Sequence, residues 1–390
     1  MIISRTSSVI FTGIILVIMN GCISYRPYEN TNTNSSNEPL QNILDQAVNE
    51  YKLPGLQAGI KLPNGKTLLA SSGTIDFGRK QPHITNNNIF RIGSTTKMFV
   101  AALIGRLNEK GLLSYDDTLD KWFPDLPFAS TVNIRELLNH TSCIEESLFT
   151  SPTILAKSFL FSHTNWNTEE VVYDLMQDMK VIPAGQRSFK YANNNYLLLG
   201  LIAERTGGDK IHVQLQKEFF IPLKMKNTYL LPYYKKLPDG LISGFDEYIP
   251  LGPHEIDPDN TAWDSLTFSA GAMASSAEDL LIWLDALFHN RVLKPETLET
   301  MRHYLDARNN GRDDSIVAYG LGLAQYDING DKLEGHPGGG FGGECFPFYF
   351  PEKDISIVVS YNWSKKNNPA GKMIIQQIIR QITDNPETIK

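Results

Sequence analysis

Ser94 and Lys97 form the pair of residues in this sequence that is best suited to nucleophilic chemistry. They lie three residues apart in the stretch Phe90–Met98, and its apolar continuation to Leu107 predicts a buried helix. Residues three apart on a helix share one face, so the lysine amine can reach the serine hydroxyl and help to remove its proton. Unpaired N–H groups in the first turn also favour negative charge on an attacked carbonyl oxygen. The alternative is that Ser94 is an ordinary helix N-cap.

Tyr191 and Asn193 form a second candidate cluster, two residues apart where a predicted loop meets a predicted helix. The pKa of a phenol near a lysine amine can be lowered, which suits a proton relay to a leaving group. Asn193 offers both a donor and an acceptor, and could hold a substrate amide or the lysine. The same spacing recurs at Tyr28 and Asn30, so this motif alone carries little weight.

The third candidate is the glycine-rich run His336–Gly343. Glycines beside a strand let a substrate approach closely and leave backbone N–H groups free to bind an oxyanion. The imidazole of His336 could assist proton transfer or support the Tyr191 phenol. The alternative is a flexible hairpin. A phosphate-binding loop does not fit, because no Gly-Lys-Ser/Thr follows and the run precedes a strand rather than a helix.

Composition places the chain among globular proteins, with 42% hydrophobic and 20% charged residues. Its length of 390 residues suits two or three domain-sized units or one large composite fold. The net charge of −7 and the pI near 5.7 provide no basic face. We therefore expect no nucleic-acid partner.

The hydrophobic periodicity predicts strands near both ends of the chain and helices between them. An early helix over Leu40–Tyr51 is followed by two strands around Asn64-Gly65, a strong hairpin signal. The two ends are therefore expected to meet in one α/β domain. The other predicted helices are Asn133–His140, Thr168–Met179, Tyr196–Arg205, Ile211–Phe220, Ala277–Leu287 and Lys372–Ile382, and the predicted strands are Gly55–Ile60, Lys66–Ala70, Tyr319–Tyr326, Cys345–Phe350 and Ile355–Tyr361.

The N-terminus is typical of a targeting segment. The apolar run Val9–Met19 is too short to span a bilayer, which takes about twenty residues, but it fits a signal peptide. Gly21-Cys22 at its end resembles a bacterial lipobox, which predicts a signal peptide over 1–22, a lipid on Cys22 and a disordered spacer over 23–39. The expected location is the bacterial cell envelope, on the periplasmic or extracellular face. A plain signal peptide is the alternative.

Three cysteines are too few for a disulfide framework. With Cys22 assigned to lipid, Cys143 and Cys345 remain. These two could pair in an oxidising envelope, but two separate buried thiols are the interpretation that we favour.

The order Ser-x-x-Lys, Tyr-x-Asn, His-x-Gly resembles the serine hydrolases grouped with class C β-lactamases, D-alanyl-D-alanine carboxypeptidases and related esterases. The resemblance covers roughly 40–382, nearly the whole mature chain. Further stretches that are similar to the family are Arg135–Ser142, Phe189–Tyr196, Ile221–Met225, Ser269–Ser276 and Tyr319–Gly322.

The resemblance implies a role for each motif residue. Ser94 would be the nucleophile and Lys97 its activator. Tyr191 would act as general base and acid, while Asn193 positions the substrate. His336 would take the place of the lysine or histidine of the third motif.

The resemblance also implies an oxyanion hole, a fold and the absence of a cofactor. The backbone N–H groups of Ser94 and Gly339 would bind the oxyanion, and Gly338 and Gly339 would line the substrate. The expected fold is α/β (α+β), with an antiparallel sheet flanked by helices over 40–115 and 265–385. A mainly helical domain would cover 116–264, with the site in the cleft between the two. The family needs no metal or organic cofactor.

Two departures from the family bear on the substrate. Cys143 stands where members usually carry Gly, so a positive φ there would strain the loop beside the cleft. Pro337 stands where many penicillin-recognising members carry Thr or Ser, and it has neither hydroxyl nor N–H. We therefore expect peptide or ester hydrolysis rather than strong β-lactamase activity, acting on a small-molecule or peptide acyl substrate. A true β-lactamase and a non-catalytic penicillin- or peptide-binding lipoprotein are the alternatives.

Overall fold

The computed structural model of the chain describes residues 37–77, 82–247, 253–308, 315–340, 342–365 and 367–384. The predicted signal peptide, Cys22 and the spacer as far as residue 36 lie outside the described residues. The first helix begins at Glu38, so the last two residues assigned to the spacer are helical. Pro39 is compatible with this because proline is tolerated in the first turn. No helix in the described ranges is long and apolar enough to cross a membrane.

The described residues form helices and strands in the following order. The helices are α1 (Glu38–Tyr51), α2 (Thr96–Glu109), α3 (Ile134–Leu138), α4 (Pro152–Leu160), α5 (Thr168–Met176), α6 (Asn193–Gly207), α7 (Ile211–Leu215), α8 (Ile221–Leu223), α9 (Thr261–Gly271), α10 (Ala277–Phe288), α11 (Pro295–Met301) and α12 (Ala370–Asp384). The strands are β1 (Gly55–Lys61), β2 (Thr67–Gly73), β3 (Phe90–Arg91), β4 (Tyr229–Leu230), β5 (Gly244–Asp246), β6 (His254–Ile256), β7 (Met273–Ser275), β8 (Leu305–Asp306), β9 (Ile316–Tyr319), β10 (Ala324–Ile328), β11 (Asp331–Gly335), β12 (Gly338–Gly340), β13 (Gly343–Phe350), β14 (Ile355–Tyr361) and β15 (Trp363–Ser364).

The main sheet of the described residues joins the two ends of the chain. It has nine strands in the order β2-β1-β14-β13-β11-β10-β9-β8, with β12 paired to β13. Neighbouring strands are antiparallel, including β1 from the N-terminal part beside β14 from the C-terminal part. The predicted antiparallel sheet built from both chain ends is therefore confirmed.

Helices cover both faces of this sheet because β14 is apolar on both sides. Ile357 and Val359 pack in one buried cluster with residues of α1 and α12, including Ile374 and Ile378. Val358, which lies between the two, belongs to the cluster on the other face together with residues of α2 and α10. Full burial of such a side chain contributes about 1.5–3 kcal/mol, so the two helical layers hold the sheet from both sides.

The predicted strand Tyr319–Tyr326 is wrong as a single element. The strand β9 ends at Tyr319 and β10 begins at Ala324. Between them, Gly322 has a φ of +72°, and a Cβ there would lie 2.4 Å from the Cβ of Ala101 in α2. The chain therefore turns where it meets the helix that carries the serine and lysine, and the turn requires a glycine.

The segment between the two predicted parts of the α/β domain contains most of the short elements. Residues 116–264 hold helices α3 to α8 and the short strands β4, β5 and β6. The boundary predicted between residues 264 and 265 falls inside α9, which begins at Thr261 and whose first turn is capped by the side chain of Asn260. The division of the chain into two domains otherwise stays a prediction.

Candidate active site

Ser94 lies in a short 3₁₀ turn, Gly93–Thr95, that leads directly into helix α2. The turn follows strand β3, and Gly93 reverses the chain with a φ of +49°. The predicted placement of the serine at a helix start is confirmed. Because α2 is buried on nearly all sides, the turn has a rigid base.

Lys97 is fully buried, and its ammonium nitrogen lies among three oxygen atoms. The distances from Nζ are 2.9 Å to Ser94 Oγ, 2.8 Å to Asn193 Oδ1 and 2.7 Å to the carbonyl oxygen of Ala270. An amide or carbonyl oxygen can only accept a hydrogen bond, whereas a hydroxyl can also donate one. In its neutral form Lys97 can therefore give its N–H groups to Asn193 and Ala270 and turn its lone pair towards Ser94, whereas in its charged form it donates to all three oxygens.

Asn193 brings the second motif to the first, and it is the first residue of helix α6. The helix begins three residues before the predicted start at Tyr196, because a carboxylate from another loop binds its first turn. Glu146 Oε2 accepts from the Asn193 backbone N–H at 2.6 Å and from Asn193 Nδ2 at 2.9 Å. The amide oxygen is thereby left to face Lys97.

The ring of Tyr191 lies beside the same lysine. Lys97 Nζ is 5.0 Å from the centroid of the Tyr191 ring, a distance typical of a cation–π contact. Other neighbours of this ring include His140, at 4.2 Å between centroids, His336, at 6.1 Å, and Tyr319, at 6.3 Å. Tyr191 is half-buried whereas Lys97 is fully buried, so the tyrosine lies nearer to solvent than the amine.

His336 is buried, and both of its ring nitrogens are hydrogen-bonded within the protein. Nδ1 is 2.8 Å from the carbonyl oxygen of Pro337, and Nε2 is 2.8 Å from the hydroxyl of Tyr319. A carbonyl only accepts, so Nδ1 carries the proton and Nε2 accepts from Tyr319. Burial, with a smaller effect from the charge of Lys97, lowers the pKa of His336 from 6.5 to about 3. The imidazole is therefore neutral at ordinary pH.

The glycine-rich run forms strand β12, which pairs with β13 and packs against the serine turn. A Cβ on Gly338 would lie 1.8 Å from the carbonyl oxygen of Ile92 and 2.7 Å from the backbone nitrogen of Ser94. Gly339 also lies close to the turn, since its nitrogen is 2.8 Å from the position that a Cβ on Gly93 would take. The backbone groups predicted to form the oxyanion hole are thus adjacent, and only glycine fits at position 338.

The two cysteines of the described residues are free and buried, so the favoured interpretation of separate thiols is confirmed. Burial raises the pKa of the Cys345 thiol to about 12. Cys143 has a φ of +57°, which is the conformation that would favour the glycine usual in the family. His140, three residues earlier, also has a positive φ, of 58°. This loop therefore carries local strain close to Tyr191 and Asn193.

Three groups of the site did not emerge from the sequence. Tyr319 is part of a stretch that resembles the family, so a signal for it existed. Glu146 gave none, because an acidic residue in a loop is ordinary. Ala270 lies in the stretch Ser269–Ser276, which also resembles the family, but it contributes only a backbone carbonyl, and no side-chain pattern identifies that carbonyl as a partner of the lysine.

Comparisons with known proteins agree with this geometry. A family model described as Beta-lactamase matches residues 40–379. Penicillin-binding protein 4* of Bacillus subtilis is 29% identical over 304 residues, which are 71% of this chain and 63% of that protein, so the match spans less than two thirds of that relative. Protein flp of Staphylococcus aureus is 25% identical over 359 residues, which are 90% of this chain and 68% of that protein.

A solved structure extends the agreement to the fold. The D-amino acid amidase from Ochrobactrum anthropi SV3, complexed with L-phenylalanine amide, superposes with a TM-score of 0.79 at 25% identity, covering 90% of this chain and 99% of that one. The family model spans all three motifs, and the superposition spans nearly all of both chains. This chain therefore belongs to the beta-lactamase family of serine hydrolases.

Proposed function

We propose that this protein cleaves an amide or ester bond through a covalent acyl-enzyme on Ser94. The observation that carries the proposal is the distance of 2.9 Å between Lys97 Nζ and Ser94 Oγ, while two acceptor oxygens occupy the other sides of the amine. A nucleophile and its base within hydrogen-bonding distance, with the base oriented by further groups, are the signature of an activated nucleophile.

In the acylation step, Ser94 Oγ forms a bond to the substrate carbonyl carbon and its proton passes to the neutral amine of Lys97. The negative charge that develops on the carbonyl oxygen is received by the backbone N–H groups of Ser94 and Gly339. The bond to the leaving nitrogen or oxygen then breaks, and Tyr191 donates its own phenol proton to that atom. Asn193 keeps Lys97 oriented and meets the substrate amide.

In the deacylation step, a water molecule attacks the carbonyl carbon of the acyl-enzyme. Tyr191, left as a phenolate by acylation, takes the proton of the water. The ester bond to Ser94 Oγ breaks to release the acid, and Lys97 returns its proton to the serine oxygen. The neutral His336 does not supply a proton in this scheme. Its role is to hold strand β12 beside the serine, because its backbone carbonyl accepts from Thr95 Oγ1 at 2.8 Å.

For the substrate we propose a small amide, peptide or ester. The names of the relatives include a penicillin-binding protein and a D-amino acid amidase, which is consistent with attack on an amide carbonyl. Pro337 offers no hydroxyl to a substrate carboxylate, which favours substrates other than β-lactams. A chromogenic ester, a D-Ala-D-Ala peptide and a cephalosporin, each run with wild type and Pro337→Thr, test this order. Faster cephalosporin than ester turnover by wild type would contradict it.

For the location we propose the cell envelope, with a lipid on Cys22 as the anchor. The support is the apolar run followed by Gly21-Cys22. Expression of the full chain as wild type and as Cys22→Ser tests the proposal by membrane fractionation. Wild type should pellet with membranes and the variant should not, whereas pelleting of both would require another anchor.

A fluorescent fluorophosphonate tests the catalytic proposal directly. Wild type should be labelled at one site, and Ser94→Ala should lose the label while keeping the thermal unfolding midpoint of the wild type. Ser114→Ala, in an exposed turn, is the matched control and should label normally. Equal labelling of wild type and Ser94→Ala would remove Ser94 from its role.

A further inference from the structure

Glu146 lies in the loop between α3 and α4, and both of its carboxylate oxygens are engaged. Oε2 accepts from the backbone N–H of Asn193 at 2.6 Å and from its side-chain Nδ2 at 2.9 Å. Oε1 accepts from the N–H of Leu148 at 3.1 Å, which fixes the carboxylate relative to its own loop. A negatively charged acceptor is thus held rigidly against the residue that contacts Lys97.

The carboxylate decides which way the Asn193 amide points. An ionised carboxylate can accept hydrogen bonds but not donate them, so only the NH₂ end of an amide can face it. If the amide turned over, its oxygen would face the Glu146 carboxylate and its NH₂ would face the N–H groups of Lys97. Both contacts would then be repulsive. The observed orientation places Asn193 Oδ1 at 2.8 Å from Lys97 Nζ.

We propose that Glu146 is a positioning residue for the reaction, acting through the Asn193 amide to aim the amine of Lys97 at Ser94. This inference rests on the proposed function. By holding Asn193 Oδ1 on one N–H of Lys97, Glu146 leaves the lone pair of the neutral amine directed at the serine hydroxyl. A misplacement of about 1 Å in such a contact can cost on the order of 10²-fold in rate.

A purely structural role makes a different prediction. Ala192 precedes helix α6 and provides no side-chain cap, so the Glu146 carboxylate also satisfies the first N–H of that helix. If capping were its whole role, replacement would lower stability and leave the rate of acylation in the folded protein unchanged. Acylation of the folded protein therefore has to be measured separately from stability.

The same loop offers a matched control. Ser147 Oγ accepts from Asn194 Nδ2 at 2.6 Å, and that amide also donates to the carbonyl oxygen of Glu145. Ser147 thus binds the next asparagine of the same helix turn rather than Asn193 itself. Ser147→Ala should disturb the loop to a similar extent without changing the orientation of the Asn193 amide.

The experiment measures the maximal rate constant kinact and the half-saturating concentration KI for a fluorophosphonate. Glu146→Gln should lower kinact by about 10-fold or more with little change in KI, because its amide can offer an NH₂ to Asn193 and permit the reversed orientation. Glu146→Asp keeps an acceptor-only group and should retain more of kinact than Glu146→Gln. Ser147→Ala should behave as wild type.

A double-mutant cycle tests whether Glu146 acts on kinact through the Asn193 amide. In an Asn193→Ala background, Glu146→Gln should cause no further fall in kinact, because the group through which it acts is gone. Wild-type kinact in folded Glu146→Gln, independent effects in the cycle, or a Glu146→Asp variant as impaired as Glu146→Gln would each overturn the inference. Labelling that persists in Ser94→Ala would instead overturn the proposed function.

Discussion

Two buried basic groups flank the serine turn, and their surroundings differ in kind. Lys97 lies among oxygen atoms from Ser94, Asn193 and Ala270. His336 lies against the rings of Tyr191 and Tyr319, at 6.1 and 5.5 Å between centroids. Burial alone would disfavour the charged form of either group, but three oxygen atoms surround the amine, whereas a single carbonyl and one phenol hydroxyl contact the imidazole. The surroundings of Lys97 therefore suit the exchange of a proton, whereas those of His336 suit the rigid packing of the site.

The largest loss of labelling should come from removing the amine of Lys97. Lys97→Met keeps an unbranched apolar stem and should lower the rate constant of fluorophosphonate labelling by about 10³-fold, because general-base assistance is lost. Two acceptor oxygens also lose their partner, which should lower the free energy of unfolding by about 1–3 kcal/mol.

Lys110→Met is the matched control for this substitution, since Lys110 lies at the end of the same helix on the surface, beside Glu218. It should label at the wild-type rate. If Lys97→Met retained more than about a tenth of the wild-type rate, the lysine would not be the base.

The next largest loss of labelling should come from a change in strand β12, which packs against the serine turn. Gly338→Ala places a methyl group 1.8 Å from the Ile92 carbonyl oxygen, so β12 has to move away from the serine turn. Labelling should fall by about 10²-fold, the cost of one misplaced oxyanion donor. Gly339→Ala adds the same methyl group in ordinary contact, 3.4 Å from Cγ of Glu344, and its loss should be clearly smaller. Equal losses would contradict the close approach at position 338.

The burial of His336 should affect the pH dependence of the free energy of unfolding rather than the rate of labelling. The pKa of His336 is lowered from 6.5 to about 3 by burial, so between these values the unfolded chain binds a proton that the folded protein does not. Stability is therefore fully present above pH 6.5 and falls as the pH drops towards 3, by at most about 1.4 kcal/mol for each pH unit. His336→Gln should lose less stability than wild type between pH 7 and pH 4 in urea unfolding.

Glu344 provides the internal contrast for that measurement. Burial raises the pKa of its carboxyl to about 7, so its contribution to stability grows as the pH falls and has the opposite sign. Both proteins contain Glu344, and the difference between wild type and His336→Gln removes its effect. Parallel pH profiles for the two proteins would mean that His336 takes up its proton equally in the folded and unfolded states.

The sequence predicted the reacting groups of the site better than the groups that orient them. Spacing along one helix identified Ser94 and Lys97, since residues three apart share a face. The resemblance to a family, rather than any local pattern, joined Tyr191 and Asn193 to them. The carbonyl of Ala270 and the carboxylate of Glu146 reach Lys97 and Asn193 only through tertiary packing.

The prediction of the fold was limited in the same way, because elements set by contacts between distant residues have no local signal. The predicted strand Ile355–Tyr361 and the helix Ala277–Leu287 agree with the structure, because continuous apolar runs and a capped amphipathic pattern are local signals. The break between β9 and β10 could not be predicted, since its cause is the contact of Gly322 with Ala101 in a distant helix. The helix α9 was missed because the residues before it, 229–260, are rich in proline, glycine and tyrosine and show little periodicity.

The smallest effect should come from the loop that connects the two sides, since His140 packs on the Tyr191 ring and Glu146 binds Asn193. Cys143, between them, holds a φ of +57°, which costs a residue with a Cβ about 1–2 kcal/mol. Cys143→Gly removes that cost and loses a buried thiol and some chain entropy, so the free energy of unfolding should change by less than about 1 kcal/mol.

Cys345→Gly is the matched control, because Cys345 is also buried but lies in the extended strand β13, where the backbone is not strained. Cys345→Gly gains nothing from backbone relief, and should lower the free energy of unfolding by about 1–3 kcal/mol. Urea unfolding of both variants measures the difference. Equal losses would mean that the loop at Cys143 stores no strain, and that the two sides of the site are held in place by their hydrogen bonds and ring contacts alone.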